Sequence, residues 1–178
     1  MVCEPSSKAL GEFLNWIVRH DPKGMFDLVD VRLSLEIQSV ALAAQHANRA
    51  AIAAIESAMD GMRQAVEEFE SAKDPSAAEA RIHHYDVGFH EAIALAGGNR
   101  VLTSLIEAIS LPLEKSLYMS MRGNALRGLS IRNSLKAHQL IFECIKKRDV
   151  RGATSAMRFH LEEAGRDMRA AFDVPVSI

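Results

Sequence analysis

The chain has 178 residues, 48% of them hydrophobic and 25% charged, and a formal net charge of -2. That is enough chain for one domain with a sizeable core and the composition of an ordinary soluble protein, and the near-neutral balance argues against a nucleic-acid surface as its main business. Two cysteines, Cys3 and Cys144, suggest neither a disulfide framework nor a zinc ribbon and fit a reducing cytoplasm. The amino-terminal residues lack the basic and apolar runs of a secretory signal, and the most alanine-rich stretch, 39–55, is too interrupted by polar residues to span a membrane.

Helix formers dominate and no alternating apolar run asks for a strand. A first short helix is expected over residues 7–20, ended by Asp21-Pro22-Lys23-Gly24. A second is expected over 26–46, with Leu28, Val31, Leu35 and Leu42 near one face, and a third over 49–71. Asp74-Pro75-Ser76 starts a fourth, which ends at Gly97-Gly98. Asn99 is placed to cap a fifth helix running to Met121, kinked or split at Pro112. Gly123-Asn124 reads as a break before a sixth helix that ends near Lys147. Asp149 is placed to cap a seventh, ending near Phe172. The expected fold is therefore all-α, an antiparallel bundle of about six to seven helices.

Polar side chains interrupt three of the apolar stripes. In the sixth helix the stripe runs Ile131, Leu135, Phe142, Ile145, and its missing member is His138. In the seventh, His160 sits at the centre of Ala153, Met157, Ala164 and Met168. In the fourth, Asp86 fills the gap between Ile82 and Phe89, and His90 follows it by one turn on the same face. A buried carboxylate is costly unless it is paired or bound to a cation. His138 and His160 lie at similar distances from the turn at Arg148-Asp149, so at ~1.5 Å rise per residue their rings share a height on an antiparallel pair. One shared divalent metal explains all four. Taken singly, each histidine reads more readily as a satisfied core or boundary side chain than as a ligand, and Asp86/His90 as a plain hydrogen-bonded pair. His83 reads as a flanking surface residue, and His20 and His46 as structural residues near helix ends.

The sequence resembles the effector-binding (FCD) domain of the FadR subgroup of GntR-type transcription regulators. The resemblance is carried by Asp27-Leu-Val-Asp-Val-Arg-Leu-Ser-Leu-Glu36, Leu42-Ala-Ala44, Asp86-Val-Gly-Phe-His90, Gly98-Asn-Arg-Val-Leu102, Ala137-His138, Asp149-Val-Arg-Gly-Ala153 and Met157-Arg-Phe-His160-Leu161. It implies a ligand-sensing domain over residues 26–174, with metal ligands Asp86, His90, His138 and His160. Residues 1–25 would be a linker segment and short helix that follow a winged helix-turn-helix lacking here. It further implies a homodimer, DNA contact only through that amino-terminal domain, no membrane association, and a small carboxylate-type effector. Zinc is the first expectation for the metal, with nickel, iron or copper as alternatives for an imidazole-rich site. Two residues are assigned to the effector. Arg32 could grip a carboxylate bidentately, or simply pair with Glu36 one turn on. Asn99 could donate to the effector, or merely cap its helix. The rival reading is a helical metalloenzyme, since an open metal position can activate water. Neither a His-Glu-x-x-His nor a Glu-x-x-His pair occurs in the chain, which disfavours it. A purely structural bundle is the third reading.

Overall fold

A computed structural model describes residues 7–110 and 112–173. Among them the chain forms eight helices and no strand: α1 Lys8–His20, α2 Pro22–His46, α3 Arg49–Ser71, α4 Ser76–Ala96, α5 Arg100–Ser110, α6 Glu114–Leu126, α7 Ile131–Lys146 and α8 Val150–Phe172. The all-α expectation holds. The expected fifth helix is two, because Pro112 lies between α5 and α6, where its missing N–H and its ring cannot continue a helical ladder.

Two boundaries differ from the sequence expectation. The Asp21-Pro22 pair ends α1 but also starts α2 at once: Asp21 Oδ1 accepts from the Lys23 amide at 2.9 Å, and Pro22 occupies the first turn. The other is Gly123-Asn124, which does not break a helix. α6 continues to Leu126, and the chain turns instead at Gly128, whose φ of +69° suits glycine. Gly123 has a different task. A Cβ placed there would lie 1.7 Å from the Asp167 carbonyl oxygen, so α6 and α8 touch backbone to backbone at that point.

Caps set the remaining helix starts. Asn48 accepts from the Ala51 amide, Ser130 from Arg132 and Asp149 from Gly152. Between α7 and α8 Arg148 adopts a left-handed φ of 59°, and its guanidinium donates to the Ala44 and Ala47 carbonyls at the end of α2. This satisfies helix-end acceptors and ties the α7–α8 turn to α2.

α8 is the spine, packed against α2, α6 and α7, while α3 lies along α4. The main core joins Val40, Ala43 and Ala44 of α2 with Ile55 and Met59 of α3, Phe89 and Ile93 of α4, Ile141 and Ile145 of α7, and Met157 of α8. Each such large side chain, once buried, contributes on the order of 1.5–3 kcal/mol. The inward face of α2 is therefore Leu28, Glu36, Ser39, Val40 and Ala43. Val31, expected on the stripe, is 49% exposed. Among the described residues no helix is long and apolar enough to cross a membrane.

Candidate metal centre

Four side chains from α4, α7 and α8 converge inside this core. Asp86, His90, His138 and His160 are all buried, and one potential ligand atom from each lies within 4.8 Å of the others. The ring centroids of His138 and His160 are 4.2 Å apart, those of His90 and His160 5.4 Å, and those of His90 and His138 5.5 Å. The matched heights expected for His138 and His160 are therefore found. Phe89, fully buried, sets its ring edge-on to both His138 and His90 and closes one side of the cluster with hydrocarbon.

Hydrogen bonds fix which nitrogen each ring turns inward. His138 Nδ1 is 2.8 Å from the Ser134 carbonyl one turn earlier and must donate to it. His90 Nδ1 donates to the Glu36 carboxylate. In a neutral imidazole the other nitrogen is then a bare acceptor. Nε2 of both rings is buried without a hydrogen-bond partner. His138 Nε2 stands 3.1 Å from Asp86 Oδ1, and His90 Nε2 4.0 Å from Asp86 Oδ2. Two buried ring nitrogens thus converge on a carboxylate, an arrangement that one shared cation would satisfy.

The local electrostatics favour an ionised Asp86 and a neutral His160. Burial would push the Asp86 carboxyl up, but the pull of His138, His90 and Arg32 outweighs it and holds Asp86 well below the usual carboxylate range. Burial, with His138 and His90 beside it, holds His160 well below the ordinary imidazole value, so that ring is neutral at physiological pH. The donor set, one carboxylate and three imidazoles, suits zinc and other borderline divalent metals. Donors bound to one ion at about 2.0–2.2 Å are no more than about 4.4 Å apart, so modest side-chain closure brings these four onto it.

The residue missed by sequence reasoning is Glu36. Its carboxylate is 2% exposed and takes two partners: Arg32 Nε at 2.5 Å and His90 Nδ1. The sequence offered it only as a one-turn ion-pair partner for Arg32. Its signal was a charged residue on the face of α2 that also holds Val40 and Ala43. Burial would raise this carboxyl, yet Arg32 and His90 outweigh burial and lower it to about 2. A group with a depressed folded pKa contributes stability above its unfolded value, lost as pH falls through the folded one. Metal-free protein should therefore begin to lose melting temperature below about pH 6.5, where His160 resists protonation, and lose on the order of a few further kcal/mol between about pH 4.5 and about pH 2 as Glu36 is protonated. Asp86 acts in the same direction. Melts across that range check this, and Glu36→Gln should flatten the decline.

Arg32 reaches a cavity of about 480 Å³ that Asp86 and His160 also line. The structure brings these three together. Asn99 is exposed, accepts from the Leu102 amide at 3.1 Å as the cap of α5, and lies outside that cavity's lining. His83 is not a surface flank. It is half-buried, edge-on to Tyr118, and lines a small void with Arg32, Glu36, Asp86 and His90.

A family model described as the FCD domain matches residues 27–163, a span that contains all four clustered side chains. Two solved structures share the fold. One is a Streptococcus agalactiae GntR protein, with TM-score 0.64 and 24% identity over 80% of this chain and 58% of its own. The other is E. coli McbR/YncC, with TM-score 0.63 and 17% identity over 80% of this chain and 66% of its own. The chain therefore spans about three-fifths to two-thirds of the length of these structures. No curated protein matches it.

Proposed function

The chain belongs to the FCD domain family, and on that premise we propose that it is the ligand-sensing domain of a GntR-type transcription regulator. It would bind one divalent metal through Asp86, His90, His138 and His160, zinc being the first candidate and nickel, iron or copper the alternatives. The observation that carries this reading is the pair of buried, partnerless Nε2 atoms of His90 and His138 turned toward the Asp86 carboxylate. When bound, the ion would supply a Lewis-acidic positive centre able to polarise an outside oxygen ligand. This chain's own residues do the rest. Glu36 and the Ser134 carbonyl orient two imidazoles, Phe89 excludes water from one side, and Arg32 presents a guanidinium to the adjoining cavity.

A small carboxylate effector fits a site that combines a cation with Arg32, whose positive charge is reinforced by Glu36 and Asp86 despite burial. Asn99 stays with its helix cap. DNA contact would belong to a winged helix-turn-helix on the amino-terminal side, outside the FCD region. Exposed Phe13 and Trp16 on α1, each 58% accessible, and Val101 on α5, 71% accessible, suit burial in a homodimer.

The test is a thermal-shift screen of small organic acids, run with and without zinc. Stabilisation by an acid should need both components, rising from near zero without metal to several degrees with it. An acid that stabilises metal-free and zinc-loaded protein equally would refute the joint site.

A further inference from the structure

The cavity beside the metal centre is longer and more apolar than a small hydroxy acid requires. At one end are Arg32, Asp86 and His160. Its α8 lining then continues through Ala164 to Asp167, seven residues beyond His160, which is about 10 Å of helix. Between these ends the walls are mostly hydrocarbon, from Met62 and Val66 of α3, Ile82 of α4, Met121 of α6, and Ile131 and Leu135 of α7, with Ser120, Asn133 and Ser134 as the small polar members. A volume of about 480 Å³ falls in the range that encloses an organic ligand with a substantial body.

The far end is polar but already complete. Arg127 pairs with both Asp167 and Glu163, and Asn124 donates to Asp167 at 3.2 Å. These groups need nothing from a ligand. Any second carboxylate arriving there would meet Asp167, buried, and Glu163, half-buried, with Arg127 already committed to both and Arg166 to Glu163, so no cation is left to receive it. Lys136 also lines the cavity, but it is exposed and its charge is screened by water.

We propose that this cavity selects a monocarboxylic acid with an apolar body of medium length, its carboxylate beside Arg32 and His160 and its tail running along α8 toward Asp167. The inference rests on the function proposed above for the carboxylate end only; the apolar walls and the Asp167–Glu163 barrier do not depend on the metal. It assigns specificity to Met62, Ile82, Leu135 and Ala164 as the length gauge, and to Asp167 and Glu163 as the filter against diacids.

The experiment is calorimetric titration of the zinc-loaded protein with unbranched alkanoates of increasing length, with α,ω-dicarboxylates of matched length, and with citrate. Affinity for the alkanoates should rise about fourfold per methylene until the cavity is full, and each matched diacid should bind at least about tenfold more weakly, as its second carboxylate is buried with no uncommitted cation to pair it. Asp167→Asn combined with Glu163→Gln should narrow that gap. Ala164→Phe, which fills the channel, should abolish the gain from chain length while zinc stoichiometry is retained. If Ala164→Phe does not fold, the length series on the unmodified chain still decides. Affinity that is flat with length, or tighter binding of citrate or the diacids, overturns the proposal. A chain that takes up no zinc would defeat the metal reading instead. The same series on metal-free protein then judges the cavity alone: rising affinity upholds it and a flat series refutes it.

Discussion

Zinc supplied at a hundredfold excess over its dissociation constant should raise the melting temperature by roughly 5–11 °C. That figure follows from about 2.7 kcal/mol of linkage stabilisation and roughly 2–4 °C per kcal/mol for a chain of this size. A metal chelator should reverse it. His138→Ala should largely abolish the shift, because His138 is the ring whose outer nitrogen the Ser134 carbonyl fixes and whose inner nitrogen lies 3.1 Å from Asp86. In the metal-free state the same substitution should cost about 2–5 kcal/mol, as truncations of fully buried side chains do, and it should raise the pKa of the Asp86 carboxyl, since His138 is foremost among the partners that hold it down. The two halves of this expectation are linked. A large zinc shift that survives in both His138→Ala and His160→Ala would mean that the ion sits elsewhere, and the four-residue centre would have to be given up.

Why the centre could be read from the sequence, and its support could not, follows from helix geometry. Asp86, His90, His138 and His160 each replace an apolar residue at a position where the period of the helix requires one, and a substitution against the pattern is visible along a single chain. The equal heights of His138 and His160 needed only the rise per residue and the short turn between α7 and α8. Glu36 was hidden because its nearest neighbour in sequence, Arg32, gives it a sufficient local explanation. Its second partner, His90, lies 54 residues away on α4 and is brought near only by the packing of α2 across α4. The same limit explains Gly123. Read locally, Gly-Asn is a turn; only the approach of α8, set by residues more than forty positions later, shows that glycine is there to let two backbones meet. Asn99 shows the opposite case, in which the local reading as a cap is the one the coordinates display.

Glu36→Gln should lower zinc affinity by about 10–100-fold, the range found when a carboxylate behind a metal-bound imidazole is lost. Around the cluster the fixed charges are Asp86, Glu36 and Arg32, a net of one negative charge against a divalent ion; glutamine in place of Glu36 removes that excess. The glutamine amide keeps an oxygen that can still accept from His90 Nδ1, so the ring should stay oriented, and the loss isolates the charge from the geometry. Glu36→Leu removes both. It leaves the Arg32 guanidinium and the His90 N–H facing hydrocarbon, and loss of one partner from a buried ion pair costs about 3–5 kcal/mol, so this variant should melt far below the parent chain even without metal. The effector end should respond as well. Arg32 is held by Glu36 at 2.5 Å, and an incoming carboxylate must share or replace that partner. Freed by Glu36→Gln, Arg32 should bind a carboxylate more readily while the metal binds less readily, two effects of opposite sign from one substitution. Calorimetry of zinc and of an alkanoate on the same variant measures both. If the two affinities instead fall together or remain unchanged, Glu36 is not the link between α2 and the metal centre.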